Sequence, residues 1–295
     1  MVVKVKKSGI PPVLFYSIGG GFAAIVTVIF AARSVLVPDH APGCSQRYQN
    51  ANTLPYAVSS GQPMTSLQLQ SRLMELDWGL RDNANFTKVS AGPGGVAMEV
   101  ALPKGGNAGG TVTNPVSGVG FKWTPRFLRK AARACVSYNI WMPVAFKFGS
   151  GGVLPGLYGG NPMAATQSGR KPYFATRMKW YSNGKIGVRY FGDTRVRGID
   201  LVTNDPWFKL PRGRWVSLEQ EIVLNTPGKQ NGVLRVWVDG ELKVEKGGLE
   251  YRDEDAIGFD GVWATTHYAG RGSVEWAPSP TNTSMLVTPM VVHWQ

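Results

Sequence analysis

The chain has 295 residues with 37 Gly, 20 Pro and 17% charged side chains, a composition that suits many strands joined by tight turns and allows one large all-β domain with an anchor or two small domains. A net charge of +13 and a pI near 9.8 imply an acidic partner, namely a polyanionic glycan, nucleic acid or anionic lipid. No nucleic-acid-binding motif is present, which disfavours that partner. With two Cys and three widely separated His (His40, His267, His293), no metal site can be read.

The N-terminus carries Lys4, Lys6 and Lys7 and then no charge until Arg33. A span of this kind is long enough to cross a bilayer, and the lysines place the N-terminus on the cytoplasmic side. Residues 1–37 are therefore expected to be a cytoplasmic tail and transmembrane anchor, or an uncleaved signal. The domain then lies outside the cytoplasm, periplasmic or extracellular. The alternative is a signal peptide cut near Ala31-Ala32, giving a secreted protein. Three of the lysines belong to the tail, so the rest is less basic than the total suggests.

Residues 38–62, rich in Pro, Gly, Ser and Asn, read as a linker and lead-in, and residues 63–295 as one domain. Leu69, Leu73 and Leu76 recur at helical spacing, so Thr65–Trp78 is expected to hold a short amphipathic helix. The runs FTKVS and VAMEVALP alternate as strands, and Lys104–Thr113 is a loop able to border a cleft. Thr124-Pro125 opens a brief helix through Ala132. ACVSYNIWMPVAF is a strand. Gly192–Arg212 is mostly loop, pinned by Trp207 and Phe208. WVSLEQEIVLN sets Val216, Leu218, Ile222 and Leu224 on one face, with Gln220 interrupting. VLRVWVDGELKVE turns at Asp239-Gly240, and GFDGVWATTHYAG and SMLVTPMVVHWQ supply the last strands.

The central stretch is Phe148–Phe191, which ends in the hairpin FATRMKWYSNGKIGVRYFG. A two-residue turn at Asn183-Gly184 makes Ser182 face Lys185, Lys179 face Val188 and Arg177 face Tyr190. Side chains alternate across a strand, so Arg177, Lys179 and Tyr190 share one face, and Met178 and Trp180 point to the other. Two cations and a phenol suit β-elimination of a uronic-acid polymer. A cation neutralises the carboxylate, and a tyrosine beside positive charge does the proton work. The alternative is a solvated sheet face.

The motifs GGVLPGLYGG (Gly151–Gly160), ATRMKW, GRWVSLEQEIVLNTPG and NGVLRVWVDG resemble those of polysaccharide lyase family 14 and, more loosely, the alginate and glucuronan lyases. The resemblance runs over roughly Cys135–Trp294. It implies an all-β, concanavalin-like β-jelly roll sandwich with short peripheral helices and a concave face, here following the expected N-terminal transmembrane helix. It implies binding and β-elimination of an acidic polysaccharide outside the cytoplasm. The alternative is a non-catalytic glycan-binding or envelope-assembly protein on the same scaffold. Arg177 matches the family's cleft arginine. The family's Tyr-x-Tyr corresponds here to Arg189-Tyr190-Phe191, and its lysine before LPGL to Val153. The resemblance implies Arg177 and Tyr190 as catalytic groups, and Lys179, on the same hairpin face, is expected to join them by lowering the tyrosine's pKa or holding a second carboxylate.

Gln220, His267, Tyr268 and Tyr158 are candidate substrate contacts, His267 also as a base at the cleft edge. Glu219 and Glu221, on one strand face roughly 7 Å apart, have the spacing of a glycosidase pair, but the longer acidic motif of such enzymes is missing. Cys44 and Cys135 can pair on the exported side of a membrane. No cofactor is expected and calcium is left open. Asn85 and Asn282 begin formal glycosylation sequons.

Overall fold

The computed structural model describes residues 42–73, 77–91, 95–110, 115–161, 173–192, 198–270 and 277–295. The expected membrane span, its signal-cleavage alternative, His40 and Leu76 lie outside them. Among the described residues no helix is long and apolar enough to cross a membrane. Residues Pro42–Gln295 form one compact unit.

In chain order the elements are β1 (Asn50–Thr53), helix α1 (Ser66–Leu73), one-turn helix α2 (Leu80–Asn83), β2 (Ala84–Lys88), β3 (Val96–Leu102) and β4 (Val119–Trp123). A 3-10 turn (Arg126–Lys130) follows, then β5 (Arg133–Trp141), β6 (Gly151–Leu154), β7 (Gly156–Gly160), β8 (Tyr173–Tyr181) and β9 (Ile186–Phe191). The last strands are β10 (Ile199–Val202), β11 (Trp215–Val223), β12 (Gly232–Val238), β13 (Glu241–Leu249), β14 (Gly261–Tyr268), β15 (Thr283–Val287) and β16 (Val291–Trp294). α1 starts with a reciprocal cap: Gln68 N–H donates to Thr65 Oγ1 and Thr65 N–H to Gln68 Oε1. Its Leu69 and Leu73 are buried.

Two antiparallel sheets form a sandwich. The nine-stranded sheet runs β13-β12-β11-β5-β15-β3-β2, with β1 and β16 attached. The seven-stranded sheet runs β10-β9-β8-β6-β14-β4, with β7 between β14 and β8. The core lies between them, where Leu218, Ile222, Leu234 and Val236 meet Met178, Trp180, Ile186 and Val188. Residues 42–62, expected to be a linker, are packed into the fold through Tyr48, Leu54 and Tyr56. Cys44 and Cys135 are joined by a disulfide.

The β8–β9 hairpin corrects the sequence expectation. Its loop has three residues, Ser182, Asn183 and Gly184. Gly184 N–H donates to Tyr181 O, and Tyr181 N–H donates to Lys185 O. Gly184 alone takes a positive φ, 80°, as in a type I turn closed by a left-handed residue. Arg177 therefore pairs with Arg189, Thr176 with Tyr190 and Lys179 with Gly187. A one-residue slip sends a whole strand to the opposite face. The two-residue register would bury Arg189 and expose Ile186 and Val188, and an unpaired charge in a core costs far more than any turn preference. Tyr190 consequently points into the core, packs edge-on to Tyr251 at 5.2 Å and donates its hydroxyl to Glu250 O at 2.7 Å. It is not on the Arg177 face. At Asp239-Gly240 both residues have positive φ (51° and 78°), and that turn does have two residues.

Two further candidates belong to the interior. Gln220 is fully buried between the sheets, where its Oε1 accepts from Leu157 N–H (2.9 Å) and Thr176 Oγ1 (3.0 Å). It fastens one sheet to the other and contacts no cleft. Tyr268 packs against Phe146 and Trp180 and donates its hydroxyl to Lys147 O at 2.6 Å. Glu219 and Glu221 are neither a catalytic pair nor solvated. Glu219 accepts from Ser45 N–H and Oγ, and Glu221 from Arg47, Tyr48 and Arg235. Together with the disulfide they fasten the segment around Cys44 to the outer face of the nine-stranded sheet.

Candidate active site

The outer face of the seven-stranded sheet carries the odd-numbered residues of β8 and β14. Arg177 and Lys179 come from β8, and Trp263, Thr265 and His267 from β14. Val153 of β6 pairs with both His267 and Lys179, so it is flanked by a histidine and a lysine.

A pocket of about 350 Å³ opens here, lined by Trp78, Arg177, Trp263, Thr265, His267 and the Ala108-Gly109 loop. That is at the small end of the roughly 300–1,000 Å³ typical of small-ligand sites. The Arg177 guanidinium lies between two aromatic rings, 5.0 Å from the Trp263 centroid and 5.2 Å from that of Phe191. Gly156 of β7 pairs with Trp263 and stands between it and the Arg177 backbone. A Cβ there would fall 1.7 Å from Thr176 O, so only glycine fits. Trp78 is fixed to β4 by its backbone, donating to and accepting from Gly120, and its indole lies against the Gly120 Cα.

His267 is 3% exposed and edge-on to Trp78 at 5.5 Å. Its Nδ1 lies 2.9 Å from Tyr268 O. A carbonyl only accepts, so Nδ1 carries the proton and Nε2 keeps its lone pair. Burial pushes the His267 pKa down to about 4; the bond to Tyr268 O opposes this, and the charges of Arg177 and Lys179 add to it. The imidazole is neutral at neutral pH. The Thr265 hydroxyl, 2% exposed, has no hydrogen-bond partner among the described residues.

Lys179 is buried and donates Nζ–H to Gly270 O at 3.0 Å. Arg189 is ion-paired with Asp200 at 3.0 Å. Tyr181 shares this face, its ring 5.6 Å from Lys179 Nζ; burial raises its pKa and the Asp200 carboxylate adds to this. Tyr158 lies on the same face but beside the pocket, edge-on to Trp263 at 6.4 Å. The structure thus brings Arg177, Lys179 and His267 together with Tyr158 at the margin, and removes Tyr190, Gln220 and Tyr268. Trp78, Trp263, Thr265 and Arg189 went unrecognised in the sequence. The alternation Trp263-x-Thr265-x-His267 was the available signal. Among the described residues, Cys44, Cys135 and Glu219 come close enough together to suggest a metal, but the two sulfurs are joined in the disulfide.

An all-β sandwich with a cation-bearing pocket on one sheet's outer face is the class this geometry defines. The polysaccharide lyase 14 family model matches residues 91–287, and the chain belongs to that family. Among solved structures, the marine PL-14 alginate lyase from Aplysia kurodai aligns with a TM-score of 0.65 at 18% identity, over 83% of this chain and 98% of that one. Alginate lyase vAL-1 from Chlorella virus aligns at 0.59 and 19% identity, over 72% and 89%. A variant of alginate lyase Aly36B in complex with an alginate trisaccharide aligns at 0.58 and 14%, over 83% and 98%. At these identities the likeness concerns the fold. No curated protein sequence matches the chain.

Proposed function

We propose that this protein cleaves an acidic, uronate-containing polysaccharide by β-elimination at the Arg177 pocket. The observation that carries the reading is the convergence of Arg177 with a neutral His267 whose Nε2 lone pair is left for the pocket. Arg177 and Lys179 hold the uronate carboxylate and stabilise the negative charge that builds on it as the C5 proton leaves. His267 Nε2 takes that proton. The C4–O bond breaks, C4=C5 forms, and the same imidazole returns the proton to the departing O4. An incoming carboxylate also counters the positive field at His267, raising its basicity where the proton must be taken. The names of the three structural relatives described above, each an alginate lyase, support a uronate as the acidic sugar.

Incubation with a panel of uronate polymers tests this: the C4=C5 product absorbs in the ultraviolet, and Arg177→Ala should abolish the signal. One observation favours a second reading, a uronate-binding protein without turnover. The tyrosine of the returning strand, Tyr190, is committed to the core. Binding that needs Arg177, with no absorbing product from any polymer, would establish it.

We further propose that the domain works outside the cytoplasm. The Cys44–Cys135 disulfide supports an oxidising compartment, and the uncharged span between Lys7 and Arg33 supports a membrane anchor. Full-length protein should sediment with membranes. Soluble protein beginning near Arg33 would replace the anchor with a cleaved signal.

A further inference from the structure

The outer face of the seven-stranded sheet carries a second cavity beside the Arg177 pocket. Lys122 of β4 pairs across strands with Trp263 of β14, and Trp263 pairs with Gly156 of β7. Gly156 abuts Arg177 on β8: a Cβ at Gly156 would lie 3.0 Å from the Arg177 Cα. Lys122 and Arg177 therefore belong to one row across the strands, with backbones three strand spacings or about 14 Å apart and side chains that converge on Trp263. The Trp263 ring stands between them, 5.0 Å from Arg177 Cζ and 5.6 Å from Lys122 Nζ.

The second cavity, about 390 Å³, is lined by Lys122, Arg126, Arg129, Tyr158, Asn161 and Asp260, with Thr124 and Gly160 at its edge. Lys122 Nζ sits 5.1 Å from the Tyr158 ring centroid. Three cations face one carboxylate. Asp260 is 3.6 Å from Arg129 Nε and accepts Gly160 N–H at 2.8 Å, so its charge is turned toward Arg129. Lys122 and Arg126 have no carboxylate partner among the described residues.

We propose that this cavity is a second carboxylate subsite, in which Lys122 and Arg126 hold a distal uronate of the same chain that reacts at Arg177, with the Tyr158 ring as the floor. The inference rests on the reading above and deepens it. The two cavities share no lining residue, and the Trp263 ring stands between their cations, so the two cation sets grip different sugars. The polymer then lies across the strands, over Trp263. The substrate class is a homopolymeric polyuronate, in preference to a neutral glycan with isolated acidic sugars.

The test is calorimetric titration of the full-length protein with uronate disaccharide and hexasaccharide, comparing wild type, Arg177→Ala, Arg126→Gln and the Lys122→Gln/Arg126→Gln double variant. The double variant should bind hexasaccharide about tenfold or more weakly, as loss of charge-assisted contacts implies, and bind disaccharide as wild type does. Arg126→Gln, on an exposed turn, should show the same pattern more weakly, so a folding defect in the double variant cannot hide the answer. Equal loss at both lengths, or no loss at either, overturns the subsite. If Arg177→Ala loses binding while both subsite variants behave as wild type, only this inference falls. If wild type binds no uronate oligomer, the proposed function falls with it.

Discussion

Glu221 and His267 are both buried ionisable side chains on the outer faces of the two sheets, and their surroundings differ in kind. Around Glu221 the chain supplies its own partners. Arg47 and Arg235 lie at 2.6 and 2.8 Å and the Tyr48 hydroxyl donates to it, all beneath the segment that the disulfide fastens. Burial alone would raise the Glu221 pKa, but these hydrogen bonds outweigh it and hold the carboxyl below its ordinary value. Around His267 the neighbouring charges are of one sign, the Thr265 hydroxyl is unsatisfied among the described residues, and there is a pocket. Burial of charge therefore does not distinguish structure from function. The difference is whether the chain completes the network or leaves it for a ligand.

Substitutions on each face should separate the two roles. Glu221→Ala leaves Arg47 without a carboxylate and Arg235 with Glu245 alone, and should cost about 3–5 kcal/mol in urea unfolding, with turnover per folded molecule unchanged. A loss of turnover at unchanged stability would make Glu221 functional after all.

The pH dependence of stability should also differ between the faces. The folded-state His267 pKa lies below the unfolded value of 6.5, so the unfolded chain takes up the proton first as pH falls. Stability is full above pH 6.5 and declines between 6.5 and about 4, by about 3 kcal/mol. The pKa of His293 is also lowered, so the measurement is the difference between wild type and His267→Gln. A flat difference across that window would mean that His267 is not buried as described. Glu221 acts lower: its stabilisation is present above its unfolded pKa near 4.5 and is lost as pH falls through the lowered folded value.

Arg177→Ala should weaken uronate binding by about 1.5–3 kcal/mol with little change in melting temperature, read by calorimetry. The smallest effect is expected for Tyr190→Phe. It removes one hydrogen bond to Glu250 O, costs about 0.5–1.5 kcal/mol of stability and leaves binding unchanged.

The pairing of Arg177 with Lys179 on one face was legible because alternation along β8 needs no knowledge of the partner strand. The position of Tyr190 did need it. Asn-Gly serves both a two-residue turn and a three-residue loop closed by a left-handed glycine. What separates them is the row Ile186, Val188, Tyr190, which only the longer loop sends inward beside Met178 and Trp180. Comparing apolar parity on the two strands would have given the right register. Gln220 was visible as a polar break in an apolar row, but its partners, Leu157 and Thr176, are far away in sequence. Trp78 reaches the site by a bridge to Gly120, a contact that no local pattern announces.

In the proposed elimination the proton is moved on the His267 side of β14 and not at the tyrosine of β9. The direct measurement is the initial rate of unsaturated-product formation from a uronate polymer by wild type, His267→Gln and Tyr190→Phe, each checked for folding by circular dichroism. The rate should fall about 10²–10⁴-fold in His267→Gln and stay near wild type in Tyr190→Phe. A rate that collapses in Tyr190→Phe and survives in His267→Gln would contradict this role of His267.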